Sequence, residues 1–158
     1  MKQTLLMRHG DAQYHIKDFS RPLSKLGKQA VTKAAYFLHK FNIEKVLCSP
    51  SIRTLETLNI IKTAMSIEIN NTIIDKLYQS NAENIINIVQ QQPDDIQTLL
   101  IIGHQPSLCE FLNLTVAQND INLKLLPACI VAIQYVTTSW VTLLTRSGVV
   151  YDIFIPNH

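Results

Sequence analysis

The chain has 158 residues, a length that suits one domain with its own core and is short for two. Apolar residues make up 47% and charged residues only 16%, which excludes a disordered, solvating chain. Fourteen Lys and Arg against twelve Asp and Glu leave +2, too little for the broad basic footprint of a nucleic-acid or anionic-membrane binder, although a few cations focused in one pocket can still hold phosphate.

In chain order the pattern alternates strand and helix. Thr4 to Met7 is a short apolar run stopped by Gly10 and reads as a buried strand. Ser24 caps a helix carrying Leu26, Ala30, Ala34, Leu38 and Phe41 at helical spacing. Lys45 to Cys48 is a second buried strand. Ser49-Pro50 then reads as a cap with proline at the first helical position, before a helix with Ile52, Leu55, Leu58, Ile61 and Met65 on one face. Ile73-Ile74 is a candidate short strand, and Asn81 caps a helix bearing Ile85, Ile86 and Val89. Thr98 to Ile102 is the clearest strand, ended by Gly103. Pro106-Ser107 opens a helix with Leu108, Phe111 and Leu112. Ala128 to Val136, Trp140 to Thr145 and Val149 to Ile155 are β-rich and joined by short polar turns, the second at Ser147-Gly148. The sum is one α/β domain over residues 1–158. It is a three-layer sandwich with a mostly parallel central sheet, helices on both faces and antiparallel strands at the C-terminal end.

The apolar run before Arg8 is too short for a secretory signal or a membrane span, so the expected location is the cytoplasm. Cys48, Cys109 and Cys129 are far apart inside apolar segments and are expected to be buried free thiols. Neither CxxC nor HExxH spacing is present, so neither a metal nor another cofactor is expected. His15, His39 and His158 have no motif around them, and Trp140 is expected to serve packing.

Three strand-to-helix junctions carry unusual polar residues: Arg8-His9-Gly10-Asp11, Ser49-Pro50-Ser51-Ile52-Arg53 and Gly103-His104-Gln105-Pro106. In an open parallel sheet the carboxyl ends of the strands form the ligand crevice, so these junctions share one address. Guanidinium forks match phosphate oxygens and stay charged at neutral pH. A neutral imidazole nitrogen can attack phosphorus. The cations would stabilise the equatorial oxygens in the transition state. Gly10 is expected to let the chain turn sharply beside the ligand. Competing readings are a surface pair between Arg53 and Glu56, a pair between Arg21 and Asp18, and a structural role for Asp11.

With these motifs the chain resembles the histidine phosphatase (phosphoglycerate mutase-like) superfamily, and within it the small SixA-type protein-phosphohistidine phosphatases. The resemblance covers essentially the full length. It rests on Arg8-His9-Gly10-Asp11, on Ser20-Arg21-Pro22-Leu23 with Gly27, on Ser49-Pro50 with Arg53 and Thr57, and on Gly103-His104-Gln105-Pro106. It implies that His9 is the phosphorylated nucleophile, that Arg8 and Arg53 clamp the phosphoryl oxygens, that His104 completes the pocket and that Arg21 binds substrate. It implies a phosphorylated histidine phosphotransfer domain or phosphorelay protein as partner. Thr54 and Glu56 depart from the family pattern, where Ala and Gln are common, and both fall outside the clamp.

A phosphate monoesterase must expel an alkoxide and usually protonates it with a carboxylic acid. Larger relatives carry that acid in an insertion after the second helix, whereas the corresponding stretch here, Asp75 to Glu83, is short. A phosphohistidine relaxes the demand, because its leaving imidazole can depart as a neutral ring (free histidine has a pKa of ~6.5). The expected function is therefore removal of phosphoryl groups from protein histidines through phosphorylated His9. The alternatives are a small-molecule phosphomonoesterase and, in another class, a non-catalytic phosphate or phosphoprotein binding module.

Overall fold

The structure, a computed structural model, describes residues 1–118, 122–143 and 145–157. Six strands, β1 (Lys2–Arg8), β2 (Lys45–Cys48), β3 (Asn71–Ile73), β4 (Thr98–Gly103), β5 (Ile130–Tyr135) and β6 (Gly148–Phe154), form one sheet in the order β3-β2-β4-β1-β5-β6. The first four run parallel, β5 runs antiparallel to β1, and β6 runs antiparallel to β5. The expected mixed sheet with antiparallel C-terminal strands is what forms.

Successive strand residues point to opposite faces, and the chain uses that alternation to build two separate cores. Leu5, Met7, Val46, Cys48, Leu100 and Ile102 face α1 (Lys25–Leu38) and α2 (Ile52–Met65). Leu6, Leu47, Leu99, Ile101, Val131 and Ile133 face α3 (Ala82–Gln90) and α4 (Ser107–Thr115). All six residues of β4 are buried, as a parallel strand covered on both faces should be. Each buried Leu or Ile contributes ~1.5–3 kcal/mol of apolar transfer free energy. Among the described residues, no helix is long and apolar enough to cross a membrane.

Helix starts follow capping chemistry. Ser24 Oγ accepts from the Gly27 amide at 3.0 Å, and Asn81 Oδ1 accepts from the Asn84 amide at 2.9 Å. The α2 start differs from expectation. Ser51, not Ser49, is the cap residue, and Pro50 lies outside the helix. The reason is local: Thr54 Oγ1 donates toward the Ser49 and Ser51 carbonyls at 2.6 and 2.8 Å, closing a turn ahead of the helix. In α1 the buried stripe is Gly27, Val31, Ala34, Ala35 and Leu38; Leu26 is exposed and Phe41 lies past the helix end.

Trp140 to Thr145 does not form the expected strand. Trp140–Thr142 is a 3-10 turn, and Leu144 lies outside the described residues. The turn places the Trp140 ring at 0% exposure, with Nε1 donating to the Ile96 carbonyl at 2.8 Å and the buried Lys2 ammonium 5.1 Å from the ring centre. Burying the indole and pairing its N–H outweighs the strand propensity of the segment. All three cysteines are free; Cys48 and Cys129 are buried, whereas Cys109 is only partly so.

Candidate active site

The sheet register aligns the three junctions. Arg8 pairs with Gly103 and Cys48 with Ile102. The His9 amide donates to the Gly103 carbonyl at 3.2 Å, and the Ser49 amide to the Ile102 carbonyl at 3.1 Å. The residues that follow β1, β2 and β4 therefore leave the sheet side by side at its carboxyl edge. They open into a cavity of about 240 Å³ lined by Arg8, His9, Asp11, Tyr14, Arg21, Arg53, His104 and Gln105, with Ala12 and Pro127. All five expected site residues thus meet in one place. The cavity is smaller than the roughly 300–1,000 Å³ of drug-sized sites and suits a phosphoryl group with one attached ring.

His9 is 7% exposed. Its Nδ1 lies 2.7 Å from the Gly10 carbonyl, which can only accept, so the proton sits on Nδ1. Arg53 Nε donates to His9 Nε2 at 3.2 Å, which leaves Nε2 with the lone pair. Burial pushes the His9 pKa down to about 3, against the Gly10 bond and reinforced by His104, Arg53 and Arg8. The ring is neutral at physiological pH, with its unprotonated nitrogen toward the cavity arginine. His104 is set in the same way. Arg53 Nη2 donates to Nδ1 at 3.3 Å, so Nε2 carries the proton and donates to Ser49 Oγ at 2.7 Å. Burial, then the neighbouring Arg53 charge, pushes its pKa down to about 4. The two rings stand 5.2 Å apart at 55°.

Arg8 Nη1 donates to the Leu125 carbonyl at 3.0 Å, while its buried Nε has no acceptor among the described residues. Burial lowers its pKa, opposed by Asp11, but a guanidinium remains charged. Arg21 is anchored by carbonyls: Nε donates to Gln13 at 2.7 Å and Nη2 to Ala12 at 3.3 Å. The Tyr14 ring covers Arg21, 5.1 Å from Cζ. Arg53 does not pair with Glu56. It reaches Asp18 instead, and Glu56 Oε2 accepts from the Leu23 amide at 2.6 Å, securing the segment after Arg21. Asp11 takes the structural role: its Oδ2 accepts from the Ser24 hydroxyl at 2.7 Å, joining the His9 loop to the α1 cap. Thr57 Oγ1, on α2, receives the Gly10 amide at 3.1 Å.

Gly10 has no positive φ, so its small size serves packing and not the sharp turn expected beside the ligand. A Cβ there would stand 2.7 Å from Val31 Cγ2 and 2.9 Å from the Gly27 carbonyl. Gly27 is tighter still, with the Asp11 carbonyl 2.1 Å from the place of a Cβ. Two glycines let the His9 loop lie directly on α1.

The sequence reading missed Tyr78, the Ser49–His104 bond and the reach of Asp18 to Arg53; it offered Asp18 as a partner of Arg21, a pair that forms at 3.5 Å. Only the spacing of Asp18 before Arg21 gave a signal. Asp75 and Glu83 are exposed and do not line the cavity. His15 and His39 lie outside it, and His158 lies outside the described residues.

Residues 4–79 match the model of the histidine phosphatase superfamily (branch 1). A protein of uncharacterised function from Mycobacterium leprae is 32% identical over 110 residues, which cover 65% of this chain and 66% of that one, just under two thirds of its length. Among solved structures, a proposed SixA phosphohistidine phosphatase from Nakamurella multipartita superposes with a TM-score of 0.83 at 26% identity, covering 98% of this chain and 96% of that one. The protein histidine phosphatase SixA in complex with tungstate shares the fold, with a TM-score of 0.82 at 20% identity and coverage of 96% and 95%.

Proposed function

The chain belongs to the histidine phosphatase superfamily, and from that premise we propose that it hydrolyses phosphohistidine on a partner protein, such as a histidine phosphotransfer domain. The observation that carries this reading is the pairing of a neutral, lone-pair-bearing His9 Nε2 with a cavity whose one carboxylate, Asp11 among the described lining residues, is engaged by Ser24. Such a site has a nucleophile and cations but lacks a poised acid for an alkoxide.

In the first step the incoming phosphoryl group takes over the Arg53 Nε–H bond, which frees the His9 Nε2 lone pair; Nε2 attacks phosphorus and the substrate P–N bond breaks. The electron pair of that bond goes to the leaving nitrogen, and the partner histidine departs neutral with its proton on the other nitrogen. Positive charge grows on the His9 ring, where the Gly10 carbonyl faces Nδ1–H. Arg8, Arg53 and Arg21 surround the phosphoryl oxygens as charge shifts onto them. In the second step water attacks phosphorylated His9, the new P–N bond breaks and neutral His9 is restored with inorganic phosphate.

Incubation with a phosphorylated histidine phosphotransfer domain tests the reading. The expected result is loss of label from the donor with acid-labile phosphate passing through His9, and no turnover by His9→Ala. A donor that keeps its label in the presence of wild-type protein overturns the protein-substrate reading. Turnover that persists in His9→Ala overturns the covalent route. A small-molecule phosphomonoesterase would show comparable rates on alkyl and aryl phosphates, whereas a site without an acid strongly favours the aryl leaving group.

A further inference from the structure

Arg53 commits both terminal nitrogens to one residue outside the cavity lining. Nη1 donates to the Asp18 carbonyl at 2.6 Å and Nη2 to Asp18 Oδ2 at 3.3 Å. Asp18 Oδ1 lies 3.5 Å from Arg21 Nη1. Tyr78 Oη donates to Asp18 Oδ2 at 2.6 Å, and the Tyr78 ring stands edge-on to His104 at 5.6 Å. Phe19, the next residue, packs edge-on against the same tyrosine ring at 5.1 Å. Among the described residues, Asp18 alone forms ion pairs with two cavity arginines.

A guanidinium is a rigid planar fork, so fixing two nitrogens fixes the direction of the third. With Nη1 and Nη2 held on residue 18, Arg53 Nε is left facing His9 Nε2. Two like charges must also be kept convergent, and a carboxylate between them opposes their repulsion. The tyrosine hydroxyl selects one orientation of that carboxylate, and its bond together with the arginines keeps Asp18 ionised below the usual carboxylate range.

We propose that Asp18 is a positioning residue for phosphoryl transfer: its carbonyl and carboxylate hold the Arg53 fork next to His9 Nε2, where the incoming phosphoryl oxygens take over its Nε–H, and hold Arg21 beside it, with Tyr78 fixing the carboxylate. The inference rests on the phosphotransfer role given to His9 and Arg53 above. It separates two quantities that an ordinary structural contact would move together. Aim governs the transition state and therefore kcat. Anion affinity depends on net positive charge, which the Asp18 carboxylate reduces.

The test uses Asp18→Asn and Tyr78→Phe in the full chain. Turnover is read on a phosphorylated histidine phosphotransfer domain and on an aryl phosphate, and affinity by inhibition with inorganic phosphate and vanadate. Asp18→Asn is expected to lower kcat at least about tenfold while phosphate binds as tightly as in wild type or more tightly. Tyr78→Phe is expected to lower kcat about threefold with phosphate inhibition unchanged. An Asp18→Asn protein with wild-type kcat, or one that loses kcat and phosphate affinity in proportion, overturns the inference. Wild-type protein active on the aryl phosphate but inert on the phosphoprotein overturns the substrate reading alone, because the Asp18 comparison is then decided on the aryl phosphate. Wild-type protein inert on both overturns both.

Discussion

Ser49 Oγ lies 2.7 Å from His104 Nε2 and accepts a hydrogen bond from the proton that this nitrogen carries. A hydroxyl can donate or accept, so the tautomer is set by Arg53 Nη2, which can only donate to Nδ1. Ser49→Ala removes the acceptor that orients the His104 ring through Nε2–H while leaving the β2 register intact. It should cost about 1–1.5 kcal/mol of transition-state stabilisation, or about tenfold in kcat, since it deletes one buried hydrogen bond. Steady-state kinetics on a phosphohistidine donor measures the loss, and an unchanged kcat would show that His104 is oriented without Ser49.

Arg53→Lys tests fork geometry against charge. Lysine keeps the positive charge but cannot donate at once to His9, His104 and Asp18 as the guanidinium does. The expected loss in kcat is about 10²–10³-fold, as for removal of a directed donor to a developing oxyanion. A loss under threefold would mean that a point charge suffices.

The pH dependence follows from two depressed imidazole values. His9 and His104 sit at about 3 and about 4 in the folded protein, against 6.5 for a free ring. The folded state therefore binds fewer protons than the unfolded chain between these limits, and stability rises with pH across that window. Stability is complete above about pH 6.5 and is lost as pH falls toward about 4 and then about 3. Urea unfolding at pH 7 and pH 4.5 should show the decline, and His9→Asn and His104→Asn should each flatten it. The same neutrality places the acid limb of His9 phosphorylation well below pH 6. A limb at pH 6.5 in single-turnover labelling would contradict it.

Gly27→Ala isolates the contact between α1 and the nucleophile loop. In an exposed helix this change stabilises by about 1 kcal/mol. Here the added Cβ meets the Asp11 carbonyl at 2.1 Å, so the loop or the helix must move. The expected sign is reversed, with a loss of ~1–3 kcal/mol by thermal unfolding and reduced kcat in the protein that remains folded. A stabilised, fully active variant would refute the account of the loop seat.

The five cavity residues were legible in the sequence because each sits beside a local signal, an apolar run ended by Gly or Pro or a loop turned by Pro22. Once the strands were placed parallel, Arg8, His9, Arg53 and His104 had to leave the sheet at one edge. Asp18 carries only its spacing before Arg21, and Tyr78 carries no such signal. They lie 60 residues apart and meet through tertiary packing alone. Arg53 lines the cavity as expected; the competing pair with Glu56, its helical neighbour, does not form, because the first turn of α2 aims Arg53 into the cavity and leaves Glu56 for the Leu23 amide. Trp140 defeated the strand reading for a related reason: burial of one large ring overrode the β-propensity of its neighbours.

The strand alternation that splits the interior in two has a consequence for how this protein can vary. His9, Ser49 and His104 are spaced by main-chain bonds between β1, β4 and β2, which neither helical layer supplies. Beyond the first turn of α4, where Ser107 and Leu108 bond the His104 carbonyl, the α3–α4 layer can therefore exchange its apolar side chains without redrawing the distances at the carboxyl edge. The α1–α2 layer has no such freedom, because Thr57, Gly27 and Arg53 tie it to the chemistry. Drift should thus be lopsided, with one side of the molecule free to diverge and the other held in step with its reaction.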